Sequence, residues 1–403
     1  MMRALSALLL MTQFGSVVHA EAGAPVRVVT LDEALGAADI SLEVAMARAE
    51  LRAAEAGIRG VRAPGEPTLS IVTRSVSARE SVAVSFPFRW GGQKAAALSA
   101  AERDRDAAAR SRERTTADAR RACRIAWYTL AAGEDLLRAA DDLVSRSERN
   151  RRAIAELLDQ ERASRLDLSR ATAEAAMAAA ARAGAEKTVI AAGAALRALL
   201  GYGETRLSAG ALRPVPPPAG SLEDWRLRAR AASPDLAVAT AQLHAAEARV
   251  SQRRREKRPL ASVQAGADLN NPTQPGTDAL LGLAFTFPTR GRAAVEVAEA
   301  DRDRAAASLE LASRRLGADL ETAWSATESA RQRFEAIDGV ARPAAAEAAE
   351  LTRIAYAEGK LDLFRLLDAE RALTDAEQNH ADAYREWGVA YAELLRVAPE
   401  GTP

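Results

Sequence analysis

The 403-residue sequence contains 55 Lys and Arg residues and 55 Asp and Glu residues, so its formal net charge at pH 7 is zero. This balance gives no basic surface that would attract a polyanion, which argues against nucleic acid as a partner. Aromatic residues make up only 4% of the chain and charged residues 27%. Such a composition is typical of long helices and coiled coils.

The first twenty residues have the pattern of a secretory signal peptide. Arg3 precedes an apolar run, and Val18 and Ala20 flank His19 in the small-x-small pattern of a cleavage site. We therefore predict that residues 1–20 are removed on export. No later stretch has the roughly 18 uninterrupted apolar residues of a membrane-spanning helix.

The chain order then predicts a first structural unit over residues 21–212. Helical periodicity runs over residues 31–63, and the prolines that follow end this helix. Alternating apolar residues predict strands at about 67–76 and 81–88, joined by a tight hairpin. From Gly92 to about Ala163 there is no proline, which predicts a continuous coiled-coil helix about 100 Å long.

A turn near Ala163 and Ser164 leads into a return helix that ends near Gly201. The Gly-Tyr-Gly stretch there follows a helix, so we interpret it as a helix C-cap rather than a phosphate loop. A Pro-rich linker is predicted after the first unit, at residues 213–220.

A second unit over residues 221–397 repeats this order and is followed by a short tail at 398–403. Its strands are predicted at about 260–269 and 279–287, and the stretch RLDLSR at 165–170 recurs as KLDLFR at 360–365. A Phe-Pro pair follows the second strand in both units. Pro343 interrupts the second long helix, where we expect a kink.

The strands have one apolar and one polar face, which suits a membrane β-barrel to which several chains contribute. Five aromatic residues lie where strands meet helices, as an interfacial girdle in outer-membrane lipid would: Phe86, Phe88, Trp90, Phe285 and Phe287. A soluble hairpin cap on a helical bundle stays open as the alternative.

The chain from about Leu31 to Val397 resembles the TolC-like outer-membrane efflux proteins of Gram-negative bacteria, and within them the cobalt-zinc-cadmium efflux subgroup. The resemblance is carried by FPFRWGGQKAAALSAAERDRDAA from Phe86, by FPTRG from Phe287, and by AYAEGKLDLFRLLDAERALTDAEQNHADAYREW from Ala355. The Gly-Gly pair before Gln93 and the basic Lys94 are typical of that subgroup.

The resemblance implies a mainly α fold with a small β part, built from a duplicated helix, β-hairpin, long helix and helix unit. It implies a homotrimer whose strands form one twelve-stranded outer-membrane β-barrel, continued by a periplasmic α-helical barrel. It further implies a periplasmic adaptor (membrane-fusion) protein and an inner-membrane RND-type transporter as partners. Export of divalent heavy-metal cations is the expected function.

The tips of the two helical hairpins are where such a tunnel should narrow. Six residues there are candidate gate or pore residues: Asp167, Arg170, Tyr356, Asp362, Arg365 and Asp368. Asp167 and Arg170 are three residues apart, as are Asp362 and Arg365, so we expect each pair to share a helix face. The family often has Asp where Arg365 stands here, which weakens the case for a carboxylate ring. Local ion pairs on a solvated face are the alternative.

The sequence predicts neither an enzyme nor a cofactor. Cys123 is the only cysteine, and His244 and His380 stand alone, so no metal site is predicted. No nucleophile–base pair or carboxylate dyad is evident either. Other possible functions are a drug-efflux or type I secretion channel, or, in another class, a soluble periplasmic coiled-coil scaffold or adaptor. The residues alone do not identify the transported substrate.

Overall fold

The computed structural model describes residues 26–74, 79–269, 278–288 and 291–399. The predicted signal peptide and both strand-hairpin loops lie outside these residues. The helices are α1 Leu31–Ala38, α2 Leu42–Arg62, α3 Gln93–Asp159, α4 Arg165–Leu200, α5 Leu222–Ala232, α6 Pro234–Glu256, α7 Gly291–Ala336, α8 Arg342–Ala357 and α9 Leu363–Val397. The strands are β1 Val26–Val28, β2 Thr68–Arg74, β3 Arg79–Phe88, β4 Arg206–Ser208, β5 Leu260–Leu269 and β6 Asp278–Thr286.

The order helix, two strands, long helix and return helix occurs twice along the chain. The long helix of the first unit, α3, has 67 residues, which at 1.5 Å per residue makes it about 100 Å long. Its return helix, α4, ends at Gly201, which adopts a left-handed conformation with φ of 70° as the C-cap interpretation requires. No helix among the described residues is sufficiently long and apolar to cross a membrane.

The helical stretch predicted over residues 31–63 is divided into α1 and α2 by a break at Asp39, Ile40 and Ser41. Ser41 caps the second helix by accepting a hydrogen bond from the backbone of Val44. The Asp39 carboxylate accepts two hydrogen bonds of 2.6 Å from the guanidinium of Arg120 on α3. A contact 81 residues away thus helps to set the break, which periodicity alone did not indicate.

The interruption expected near Pro343 is a π-helical turn, Ile337–Ala341, between α7 and α8. Arg342 donates its backbone N–H to the carbonyl of Ile337, five residues earlier. Proline has no N–H to donate, and in an α-helix its ring would clash with the carbonyl four residues before it. The wider turn immediately before Pro343 relieves this clash while the helix continues.

The main sheet has four antiparallel strands in the order β2-β3-β5-β6. The hairpins of the two units therefore pair edge to edge through β3 and β5. A second sheet, which sequence reasoning missed, pairs the three-residue strands β1 and β4 in parallel. Strands this short have too few residues for a recognisable alternation.

The largest core lies around the middle of α3. Trp127, Tyr128 and Leu130 are almost completely buried there with Trp225 and Tyr384 from later helices. The indole N–H of Trp127 donates to the carbonyl of Val29 at 2.8 Å, which holds the N-terminal segment against α3. This core joins the first and second units into one body.

Candidate functional site

One face of the four-stranded sheet is apolar and uncovered by the described chain. Leu69 and Ile71 on β2 are 61% and 69% exposed, and Leu281 and Leu283 on β6 are 82% and 67% exposed. Residues directly opposite in an antiparallel ladder point to the same side. The apolar rows are Leu69–Val84–Ala265–Leu281 and Ile71–Val82–Ala267–Ala279.

The opposite face carries small and polar side chains. One row across the strands joins Ser70, Ala83, Gly266 and Leu280. A Cβ atom on Gly266 would lie 2.4 Å from the carbonyl oxygen of Val82, so only glycine fits this close approach. The sheet therefore has an apolar side and a mostly polar side, as the alternation in the sequence predicted.

Both edges of the sheet are open within the described chain. The outer strands, β2 and β6, each have one neighbour in this sheet, so each leaves a row of backbone N–H and C=O groups unpaired. Open edges of this kind pair readily with another strand. The sheet can therefore be extended on both sides.

The five predicted interface aromatics lie at the end of the sheet that joins the helices. Phe88 and Phe285 flank Ala261 in one row of the apolar face. All five side chains are between 44% and 71% exposed. The indole of Trp90 donates to the carbonyl of Pro259 at 2.7 Å, which fixes its orientation beside the start of β5.

The junction between β3 and α3 is held by contacts with α2 and with the second unit. Gly91 and Gly92 have φ values of 60° and 83°, a region that glycine adopts without steric cost. Arg258 donates to the carbonyl of Gly91 at 2.6 Å, and the Gln93 amide donates to the carbonyl of Arg258 at 3.0 Å. Lys94 donates to the carbonyl of Arg62 at 3.1 Å. The Gly-Gly pair and the two residues after it thus connect sheet to helices.

At the other end, the tips of the helical hairpins α3–α4 and α8–α9 pack on each other. Ile154, Ala171, Leu363 and Leu366 form a small buried cluster, and the Tyr356 ring packs against it. Burial raises the pKa of the Tyr356 phenol, and the nearby Asp167 carboxylate adds to the effect. Of the predicted gate residues, Tyr356 is the one that belongs to this apolar contact.

The predicted gate carboxylates Asp167 and Asp362 both cap helices. Asp167 accepts hydrogen bonds from the hydroxyl and backbone N–H of Ser164 at 2.6 and 3.1 Å. These bonds lower the pKa of Asp167, and the charge of Arg170 is a smaller cause. Asp362 precedes α9 and accepts a bond from the backbone N–H of Arg365 at 3.0 Å.

Asp362 is the N-cap of α9 and so lies at the boundary of the helix, and the expected sharing of a helix face by Asp362 and Arg365 stays a prediction. In this position its carboxylate is directed at the backbone amides of the first helical turn. Arg170, Arg365 and Asp368 are exposed within the first two turns of α4 and α9. At the tip, Arg170 and Arg365 are exposed. The nearby carboxylates Asp167 and Asp362 take part in capping α4 and α9.

The tip also exposes apolar side chains that sequence reasoning missed. Leu166 is 58%, Phe364 59% and Leu361 39% exposed. They alternate with the exposed cations Arg165 and Lys360. The signal that could have found them is the pair of matching stretches at 165–170 and 360–365. In these stretches Leu168 is half-buried and Leu363 is buried, and the other apolar residues are exposed.

Ion pairs connect helices that are far apart along the chain. Arg396, near the end of α9, binds Asp118 on α3 at 2.9 Å and Asp235 on α6 at 2.5 Å. Arg146 on α3 lies 2.9 Å from Glu370 on α9.

Burial raises the pKa of the Cys123 thiol to about 11, so it is inert at neutral pH. Among the residues the structure describes, no three His, Cys, Asp or Glu side chains come together in a metal-binding arrangement.

The amino-acid sequence was compared with protein families and with known proteins, and both comparisons found similar sequences. Residues 225–398 match the outer membrane efflux protein family. The cobalt-zinc-cadmium resistance protein CzcC of Cupriavidus metallidurans is 25% identical over 356 residues, which cover 86% of this chain and 84% of CzcC.

Solved outer-membrane structures share the fold. The outer membrane protein VceC of Vibrio cholerae has a TM-score of 0.73 at 17% identity, over 92% of this chain and 96% of VceC. CusC, whose structures record conformational changes accompanying folding and transmembrane channel formation, has a TM-score of 0.72 at 18% identity, over 92% of each chain. The second half of the chain is thus similar in sequence to the outer membrane efflux protein family, and the whole chain shares the fold of these solved outer-membrane proteins.

Proposed function

We propose that the chain is one subunit of a homotrimeric outer-membrane channel that serves as the exit duct of a tripartite efflux pump. The observation that carries the proposal is the four-stranded sheet with an exposed apolar face and two open edges. In a bilayer, every strand must pair on both sides because lipid offers no hydrogen bonds to the backbone. One copy of the chain does not meet this requirement.

Several copies of the chain can pair every strand on both sides, because their sheets can join in one continuous antiparallel order. The strands alternate in direction from β2 to β6, so β6 of one copy and β2 of the next can pair antiparallel. A head-to-tail contact of this kind generates a closed ring when the rotation between neighbouring copies closes. Three copies supply twelve strands, which lies within the size range of outer-membrane barrels. The apolar rows then face lipid, the small polar rows face the lumen, and the five aromatics lie at the periplasmic membrane interface.

The helices continue the duct into the periplasm, and their tips are the proposed gate and docking end. Arg170 and Arg365, repeated around a trimer axis, would form rings of positive charge that affect which ions pass. The exposed Leu166, Leu361 and Phe364 offer an apolar surface between cations. This surface suits a periplasmic adaptor protein, which in turn connects the duct to an inner-membrane RND-type transporter.

Divalent heavy-metal cations are the proposed cargo, and the similarity to CzcC supports this choice. The chain acts as a passive conduit in this proposal, so the transporter and adaptor select the cargo. A drug-efflux or secretion role would appear instead as sensitivity of a deletion strain to other compounds. Growth of a deletion strain and its complemented control on cobalt, zinc and cadmium salts distinguishes these cargoes.

The first test is the position and mass of the protein in the cell envelope. We expect it to resist carbonate washing, to fractionate with the outer membrane and to have the mass of a trimer after detergent extraction. The matched variants are Leu281→Asp with Leu283→Asp on the apolar face and Ser262→Asp on the polar face. The first should abolish insertion, because charges facing lipid are destabilising and their cost is largest near the bilayer midplane, while the second should be tolerated. A soluble monomer of the unmodified chain would refute the proposal.

A further inference from the structure

One face of α2 carries apolar and small side chains that the described chain leaves exposed. Leu42 and Met46 are 84% and 65% exposed. Ala49, Ala53 and Ala56 are also exposed, and they continue the same line at alternating steps of three and four residues. This is the seven-residue repeat of a helix face that packs against another helix.

The long helix that begins the second unit's wall has a matching face. Val297 and Leu311 on α7 are 64% and 48% exposed. Ala300 and Ala307 are exposed on the same line, again at steps of three and four residues, and Arg304 is the charged member between them. Both faces therefore have the pattern of a packed surface, and the described part of the chain leaves both exposed.

The helices α2 and α7 are the two ends of one row, which we call the helix row. In this chain α2 packs on α3, α3 on α6 and α6 on α7. The helix row follows the strand order β2-β3-β5-β6, since α2 and α6 lead into β2 and β5 while α3 and α7 follow β3 and β6. The exposed helix faces and the open edges of the sheet therefore belong to the same two ends.

Each end helix has a counterpart in the middle of the helix row. The stretch AAEA at 53–56 in α2 recurs at 245–248 in α6, and AERDRD at 101–106 in α3 recurs as AEADRD at 298–303 in α7. Residues of α2 and α6 therefore correspond at a distance of 192 residues, and residues of α3 and α7 at a distance of 197.

An ion pair occupies the same place in both units and supports this correspondence. Arg62 on α2 lies 3.6 Å from Glu102 on α3. Arg254 on α6 lies 2.7 Å from Glu299 on α7. The two arginines are 192 residues apart and the two glutamates 197 residues apart, so the helices of the two units pack alike in this region.

The contact between α3 and α6 shows how such faces pack within one chain. Asp104 on α3 lies 2.8 Å from Arg249 on α6, which identifies the faces that meet. One turn before them on these faces lie Ala100 and Ala245, which are 2% and 3% exposed. The first residue of α3, Gln93, donates to backbone carbonyls at the end of α6, so the two helix ends next to the sheet lie at the same level.

The corresponding positions are exposed at the ends of the helix row. Ala53 and Val297 are the counterparts of the two buried alanines, and both are exposed. Met46 likewise corresponds to Val238, which is 5% exposed against 65% for Met46. The contact made in the middle of the helix row is therefore left unmade at both of its ends.

We propose that a second copy of the chain covers both faces, with α7 of one copy packed antiparallel on α2 of the next as α3 packs on α6 within the chain. A second copy is the partner that presents the complementary face at the level set by the sheet, because its own helix row begins beside β2. This contact continues the proposed pairing of β6 with β2 into the helices, so it rests on the proposed function.

The sizes of the opposed side chains fit this contact. Met46 is sixteen residues before the last residue of α2, and Ala307 is sixteen residues after the first residue of α7. Ala56 and Val297 are each six residues from the same helix ends. In both pairs a large side chain faces a small one, which allows the two helices to interdigitate.

Cysteine cross-linking of the full-length protein in the cell envelope tests the contact. Met46→Cys and Ala307→Cys are combined in one chain, treated with a short bis-maleimide and analysed by denaturing electrophoresis. Each single variant is a control. Met46→Cys with Ser313→Cys is a further control, since Ser313 is exposed on α7 but points about 120° away from Ala307. The native Cys123 is buried, so it adds no cross-link of its own.

We expect the combined variant to give about tenfold more covalent dimer and trimer than any control, because opposed thiols are held at a high effective concentration. A second pair of variants tests the same contact without a cross-linker. Ala53→Glu should shift the detergent-extracted trimer towards monomer, because it buries a charge without a partner. Adding Ala300→Lys should restore the trimer, since both positions are nine residues from the helix ends and the charges are opposite.

The outcomes separate this contact from the channel itself. A stable trimer whose combined cysteine variant cross-links no more than the controls, or cross-links within one chain, would overturn the contact and leave the trimer standing. A trimer that Ala53→Glu does not weaken would overturn it too. A monomer of the unmodified chain would refute the proposed function, and the contact with it.

Discussion

The long helices of the two units begin alike and then differ. In the first unit, α3 runs without interruption for 67 residues, and its middle carries the buried core residues Trp127, Tyr128 and Leu130. In the second unit, α7 has 46 residues and passes through the π-helical turn into α8. The comparison shows that the long helices of duplicated units can differ: one is continuous, the strut α3, and the other, from α7 to α8, has a joint at the π-helical turn.

Removing the core of the strut should have the largest effect. Trp127→Ala is expected to lower the free energy of unfolding by about 3–5 kcal/mol, because it deletes a fully buried indole. It also leaves the carbonyl of Val29 without its hydrogen-bond donor. Chemical unfolding of the detergent-extracted protein measures the change. Trp127→Phe, which keeps most of the packing and loses only the N–H, should cost clearly less, and equal losses in the two variants would contradict this account.

Disturbing the packing between α3 and α9 should have the next largest effect on stability. A Cβ atom on Gly388 would lie 2.3 Å from the ring of Tyr128, so Gly388→Ala is expected to cost about 1–3 kcal/mol through overpacking. Gly57→Ala on α2 is the matched control, since nothing lies within 4 Å of its Cβ position. The control should be neutral or slightly stabilising because alanine is the better helix former. Two equally stable variants would argue against close packing at Gly388.

Removing the π-helical turn before Pro343 tests what makes the second long helix differ from the first. Pro343→Ala restores a backbone N–H and removes the ring, so we expect α7 and α8 to merge into one α-helix and stability to rise by about 1 kcal/mol. Protection of residues 337–341 against hydrogen exchange should also rise. Pro234→Ala is the control, because Pro234 occupies the first turn of α6, where proline interrupts no bond. Persistence of low protection in Pro343→Ala would show that something other than the proline causes the π turn.

The smallest effects are expected at the tips, where the two units are most alike. Ser164→Ala and Asp362→Ala each remove a side-chain cap, at an expected cost of about 1 kcal/mol. Ser169→Ala, at an exposed position inside α4, serves as the control. The pKa of Asp167 is lowered by its bonds to Ser164, so this cap contributes fully at neutral pH and its contribution is lost as the pH falls through that lowered pKa. Thermal unfolding between pH 3 and pH 7 should show this acid-dependent loss for the unmodified chain and a smaller one for Ser164→Ala.

Local pattern was sufficient for the elements that depend on local interactions. Alternation placed the strands that the structure has at Thr68–Arg74, Arg79–Phe88, Leu260–Leu269 and Asp278–Thr286. The proline-free stretch after Gly92 predicted the length of α3, and Gly201 ends α4 as a left-handed cap. The apolar and polar faces of the strands were predicted too, because side chains alternate with a fixed period of two. The aromatics at the sheet–helix junction could also be located from the sequence, because they lie between the predicted strands and the predicted helices.

Tertiary contacts decided the rest. The break between α1 and α2 involves Arg120, the pairing of β1 with β4 joins residues far apart in the chain, and Asp362 turned out to be a cap because α9 starts immediately after it. His380 stood alone in the sequence, and the carboxylates near its ring, those of Asp135 and Asp338, lie 245 and 42 residues away along the chain. Residue composition and periodicity therefore determined the helices, the strands and the faces of the sheet. Which side chains meet across the wall depended on how α3, α9 and the π-helical turn pack, because charge pairing between distant segments leaves no periodic trace in the sequence.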